Sequence, residues 1–134
     1  MNFIWPVRVY YEDTDSGGVV YYANYLKFME RARTEYLRHL GYEQDALIKN
    51  ENIIFAVRSI AVDYHKPAHF NEQLEVSAQV IECKKASMLF EQAIYRQQDS
   101  QLLCSGTVRI ASLKADSFKP CPIPNNLREN VSVG

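Results

Sequence analysis

The hydrophobic period changes twice along this chain, and that change confines what it can fold into. Over residues 3–12, Phe3, Trp5, Val7, Val9 and Tyr11 alternate with Ile4, Pro6, Arg8, Tyr10 and Glu12. A period of two in residues with strong strand preference predicts a β-strand. Pro6 has no N–H to give to a ladder, so this strand is expected at a sheet edge or partly outside the pairing. The period then lengthens. Tyr22, Tyr25, Leu26, Met29, Ala32, Arg33, Tyr36, Leu37 and Leu40 recur at i, i+3, i+4, i+7, which predicts one amphipathic helix of about five turns. Arg38 and His39 suit its last turn, where positive charge is favoured, and Gly41 suits the position just past its end. Glu30/Arg33 and Arg31/Glu35 are spaced to pair along its surface.

A second short helix is expected from Glu43 to about Asn50. From there strand signals return in four segments: the long apolar, β-branched run Ile53 to Tyr64, the alternating Leu74 to Val80, then Ser87 to Tyr95 and Leu102 to Leu113. The last three are separated by turn-like stretches, which implies antiparallel pairing. The tail from about residue 120, with Pro120, Pro122 and Pro124, is expected to be irregular. The order strand, loop, long helix, four strands describes an α+β protein in two layers, the helix burying its tyrosine-rich stripe on one face of an antiparallel sheet.

At 134 residues the chain is expected to form a single domain over 1–134. A domain of this size buries only about two-thirds of its unfolded surface, which favours association into oligomers. Net charge is −1, from 15 basic and 16 acidic residues, so no nucleic-acid footprint is expected. No segment reads as a signal peptide, and no apolar run approaches the roughly 18–20 residues that span a bilayer. Cys83, Cys104 and Cys121 are an odd number without C-x-x-C spacing, which argues against a disulfide framework and for a reducing, cytoplasmic setting.

Polar and flexible residues concentrate in Asp13-Thr14-Asp15-Ser16-Gly17-Gly18, between the first strand and the long helix. A helix start offers unpaired N–H groups and a positive dipole end. Such donors can stabilise an oxyanion, and glycines let backbone approach a ligand closely. A carboxylate beside them can attack a carbonyl or activate water. The same residue types also serve as ordinary turns and helix caps. Residue types alone leave both readings open for Asp13 and Asp15.

Other chemistries fail on details. Asp13, Asp15 and Gly18 match positions one, three and six of an EF-hand loop, but Gly17 and Asn24 stand where ligands are needed at five and twelve. G-x-x-x-x-G-K-[ST] and G-x-S-x-G are both absent. His65 and His69 have i, i+4 spacing, but Pro67 lies between them and no H-E-x-x-H is present, so no metal site is expected. His39 reads as a helix-end cation. Tyr21, Tyr22, Tyr25, Phe28 and Tyr36 read as core, interface or pocket wall.

The stretch Val9-Tyr10-Tyr11-Glu12-Asp13-Thr14-Asp15-Ser16-Gly17-Gly18-Val19-Val20-Tyr21-Tyr22-Ala23-Asn24-Tyr25, continued by Leu26 to Glu35, resembles the signature of the 4-hydroxybenzoyl-CoA thioesterase family. It is most similar to the branch of acyl-CoA thioesterases associated with the Tol–Pal envelope system, and the similarity covers roughly residues 5–124. The resemblance implies the hotdog fold, an antiparallel β-sheet wrapped around one long central α-helix. It also implies dimers, often paired into tetramers, with active sites between subunits.

By motif position, the resemblance makes Asp15 the catalytic carboxylate. It puts Tyr22 where a backbone N–H polarises the thioester carbonyl. That branch commonly has histidine here, so no imidazole is implied in this chain. Gly17, Gly18, Val19 and Tyr25 are then expected to bind substrate. Arg58, Lys84 and Lys85, with Arg31, are expected to meet coenzyme A phosphates.

The implied activity is hydrolysis of short-chain acyl-CoA, with longer or aromatic acyl groups as further candidates and no cofactor beyond the coenzyme A of the substrate. Two other classes stand beside it. A thioester dehydratase would want a histidine on the central helix, and His39 lies at its far end. A binding module for acyl groups or acyl carrier protein would not need the Asp13–Gly18 chemistry.

Overall fold

The computed structural model describes residues 3–134. Met1 and Asn2, which the expected 1–134 domain includes, lie outside the described residues. The elements run β1 (Phe3–Arg8), a 3-10 turn (Tyr11–Asp13), α1 (Asn24–His39), α2 (Gln44–Glu51), β2 (Ile53–Tyr64), β3 (Gln73–Cys83), β4 (Ser87–Arg96), β5 (Leu102–Lys114) and α3 (Asn125–Asn130). The strands form one five-stranded sheet in the order β1-β3-β4-β5-β2. Every pairing between them is antiparallel. β3–β4 and β4–β5 are joined by short turns, as the strand spacing predicts. Among the described residues β2 pairs only with β5, and β3 pairs with β1 and β4, so residues 65–72 carry the chain across from one edge of the sheet toward the other.

α1 lies on one face of this sheet. Its Phe28, Met29, Ala32 and Leu37 share a buried cluster with Leu74 and Val76 of β3, Phe90 and Ile94 of β4, and Val108 of β5. These positions alternate along their strands, which is why one sheet face can be largely apolar, with buried Gln92 as an exception that bonds to α1. The result is the hotdog architecture. Pro6 sits on the edge strand β1 opposite Glu75, where a missing N–H does least damage.

Gly41 closes α1 with φ +95°. The Tyr42 N–H reaches the Leu37 carbonyl and the Gly41 N–H the Arg38 carbonyl, both at 2.9 Å. This is a Schellman ending, which needs the left-handed backbone that glycine tolerates.

Three expectations need correction. The first strand stops at Arg8, because Tyr10 to Asp13 turn inward around the buried Asp13 side chain. The helix-surface pairs Glu30/Arg33 and Arg31/Glu35 do not form among the described residues. Arg33 is instead buried and donates from Nη1 to Gln92 Oε1 at 3.0 Å. Arg31 lies over the Phe28 ring, and Arg38 pairs with Glu35 and Glu43. Finally, the tail from about 120 is ordered in part. α3 packs there, with Ile123, Leu127 and Val131 buried in the core.

Candidate active site

Thr14 to Val20 form a small hairpin between β1 and α1. Thr14 bridges Val20, the Asp15 N–H donates to the Val19 carbonyl at 2.9 Å, and the Gly18 N–H donates to the Asp15 carbonyl at 3.0 Å. Gly18 has φ +80°, so a side chain there would be strained. A Cβ on Gly17 would stand 3.2 Å from Asp15 Oδ1. The glycines therefore close the turn and leave room beside the carboxylate.

The two aspartates differ in every physical respect. Asp13 is buried, and both its oxygens are engaged. Oδ2 accepts the Tyr10 N–H at 2.8 Å and Oδ1 accepts Asn24 Nδ2 at 2.9 Å. Its backbone carbonyl accepts the Tyr21 N–H at 2.9 Å. One residue thus ties the end of the first strand to the start of α1. Asp15 is exposed at the hairpin tip. Its Oδ1 accepts the Gly17 N–H at 2.8 Å, and Oδ2 has no partner among the described residues.

The start of α1 complements this carboxylate. No acidic residue occupies its first turn, and no side chain caps it. The Asn24 N–H is satisfied by the Tyr21 carbonyl at 2.8 Å, whereas the Tyr22 N–H meets no acceptor among the described residues. An amide left open at the positive end of a 16-residue helix is a donor for developing negative charge. Rings gather beside it. Tyr21 and Tyr22 have centroids 4.7 Å apart, and Tyr64 of β2 stands edge-on to Tyr22 at 6.2 Å. The neighbouring Tyr22 phenol raises the Tyr21 pKa above the usual phenol value.

The residues expected from sequence do not all converge. Asp15, Gly17, Gly18, Val19 and the Tyr22 amide lie in one continuous stretch. Tyr25 lies beneath it, buried, and its hydroxyl accepts the Ala68 N–H at 2.9 Å. It therefore touches the 65–72 segment and not an open pocket, and burial raises its pKa. Arg58 is the extra residue of a β-bulge between Val57 and Ser59 on edge strand β2, and it is exposed. Lys84 and Lys85 occupy the β3–β4 turn. β3 begins near the Asp15 hairpin and runs eleven residues to Cys83, so it separates these lysines from Asp15 by on the order of 30 Å in the same chain.

Sequence reasoning missed Asn24 and residues 65–72. Val19 bridges His69, and the Val20 N–H donates to the Ala68 carbonyl at 2.9 Å. Neither residue type signals this, because the partners lie far apart along the chain.

The model of the thioesterase-like superfamily matches residues 9–131. The chain is 44% identical over 127 residues to the acyl-CoA thioesterase YbgC of Haemophilus influenzae, covering 95% of this chain and 92% of that one. It is 42% identical over 125 residues to the acyl-CoA thioester hydrolase YbgC of Escherichia coli O6:H1, covering 93% and 92%. Among solved structures, the DHNA-CoA thioesterase of Staphylococcus aureus superposes with a TM-score of 0.90 at 26% identity, covering 96% of this chain and 87% of that one.

Proposed function

Since the chain belongs to the thioesterase-like superfamily, we propose that it hydrolyses acyl-CoA thioesters at the Asp15 hairpin. The thioester carbonyl accepts a hydrogen bond from the Tyr22 N–H. Asp15 Oδ2 takes a proton from water as the water oxygen adds to the acyl carbon. The oxyanion collapses, the carbon–sulfur bond breaks, and the coenzyme A thiolate leaves and recovers the proton. Direct attack by Oδ2, followed by hydrolysis of the acyl anhydride, consumes the same water and gives the same products.

The observations that carry this reading are an open carboxylate oxygen on the Asp15 hairpin and an open amide at Tyr22, just before α1, in one short stretch of chain. Of the two aspartates, Asp15 is the one with an oxygen available, because Asp13 is fully bonded. Asp15→Asn removes the proton acceptor while keeping the Gly17 contact. Thiol release from a panel of acyl-CoA esters of different chain length should fall by at least about a hundredfold. Undiminished turnover in a folded Asp15→Asn protein sinks the role.

The same proposal includes a second copy of the chain. On edge strand β2, Val57, Ile60 and Tyr64 are exposed. Val57 and Ile60, with Leu26, Glu30 and Arg33 of α1, line an open groove of about 490 Å³. A second copy covering this edge supplies the burial that a chain of this size lacks. Lys84 and Lys85 can then reach coenzyme A phosphates only from another copy. Tyr21, Tyr22 and Tyr64 crowd the Tyr22 amide and favour short acyl groups. Among the described residues no helix is long and apolar enough to cross a membrane, and three free thiols fit work in the cytoplasm, alongside the Tol–Pal envelope system.

A further inference from the structure

The Asp15 hairpin is exposed, glycine-rich and short, so it needs an external support to hold a carboxylate in register with an amide. Among the described residues that support is the 65–72 segment. Ala68 is central to it. Its carbonyl accepts the Val20 N–H and its N–H donates to the Tyr25 hydroxyl, each at 2.9 Å. One fully buried residue thereby relays position from the body of α1 to the hairpin. The other anchor comes from β4. Arg96 donates from Nη2 to the Pro67 carbonyl at 3.2 Å, and its Nε pairs with Glu72 Oε2 at 2.9 Å. Glu72 Oε1 in turn accepts the His69 N–H at 2.7 Å, directly beside the Val19–His69 bridge.

We propose that residues 65–72 brace the Asp15 hairpin and that Tyr25 and Arg96 are positioning residues for hydrolysis. Neither contacts the reacting atoms. Each fixes one end of the brace to regular structure, Tyr25 to α1 and Arg96 to β4. The proposal rests on the role given to Asp15 above. Small displacements of a reacting group cost far more in rate than in binding, because effective molarity depends steeply on geometry.

Tyr25→Phe removes one oxygen and keeps the ring. Arg96→Gln removes the cation and keeps a polar side chain. At 25 °C, each should lower kcat about tenfold with KM within about twofold. Hydrogen exchange at the Ala68 and Val20 amides should quicken in Tyr25→Phe, while amides in the middle of α1 keep their protection. Arg38→Gln, which breaks exposed ion pairs at the far end of α1, should leave kcat unchanged. Faster exchange with kcat unaltered overturns the positioning role. So does a loss of kcat accompanied by a loss of protection in the middle of α1, since that is the signature of general unfolding. Full activity in Asp15→Asn defeats the catalytic assignment instead, whatever the two brace variants do.

Discussion

Asp13 and Asp15 are two positions apart, yet the structure assigns them separable consequences. Asp13→Ala strands two donors in a buried setting, the Tyr10 N–H and Asn24 Nδ2. A hydrogen bond to a charged group contributes about 1.5–3 kcal/mol, and a buried donor left alone costs its desolvation as well. Two such losses, partly relieved by entering water, come to about 3–5 kcal/mol. In a protein of this size that lowers Tm by roughly 10 °C or more. Asp15→Ala loses one exposed contact to Gly17, worth about 0.5–1.5 kcal/mol. Urea titration followed by far-UV circular dichroism measures both, and thiol release from acyl-CoA measures turnover on the same preparations. The expected pattern is a stability defect centred on Asp13 and an activity defect without a matching stability defect at Asp15. An Asp13→Ala protein within about 1 kcal/mol of the parent would refute the view that this carboxylate ties strand end to helix start. A reversed pattern would refute the division between the two residues.

Two further outcomes follow from packing and burial. A Cβ on Gly106 would stand 2.3 Å from the Ala61 carbonyl oxygen and 2.9 Å from Val62 Cγ2, so Gly106→Ala should force β2 and β5 apart and lower the urea midpoint by an amount worth at least about 1–3 kcal/mol. Cys104 is buried, and desolvation, with Asp63 nearby, pushes its thiol up to about 12. It should resist alkylation at pH 8 in the folded protein and react once urea unfolds it. The unfolded thiol ionises first, so this group's contribution to stability is intact below about pH 9 and is lost as pH rises toward 12. Replacing Cys104 by Ala should make the alkaline limb of the stability curve shallower, which a series of denaturant titrations across that range checks.

The central helix and the four later strands are legible in the sequence because each carries a sustained period or, in β2, a long apolar β-branched run. β2 runs from Ile53 to Tyr64, as its apolar β-branched run predicts. What escapes is whatever depends on distant partners. The order β1-β3-β4-β5-β2 cannot be read from strand spacing, which does not say that β2 joins β5 across the far edge. The tail was harder for a local reason. Its prolines signal irregular chain, while Ile123, Leu127 and Val131 fall four apart, the spacing of a short helical face, and all three are buried. At the site, the Asp15 position is recognisable from its motif. The role of Asp13 is not, because capping and bridging use the same residue type. Tyr25 reads as a pocket wall until Ala68, 43 positions away, is seen donating to its hydroxyl.

The bridge between Val19 and His69 spans fifty positions of chain, and β1 waits still longer for its partner β3. A polypeptide emerging amino-end first therefore exposes its Asp15 hairpin and its first strand well before the segments that hold them exist. α1, built from local bonds, can form during that interval, but pairing across such separations pays a loop-closure cost first and is slow. Hydrolytic competence is accordingly a late acquisition during synthesis. A chain interrupted before residue 68 would carry every residue of the motif and still lack the segment that bonds to Val19 and Val20 of the Asp15 hairpin.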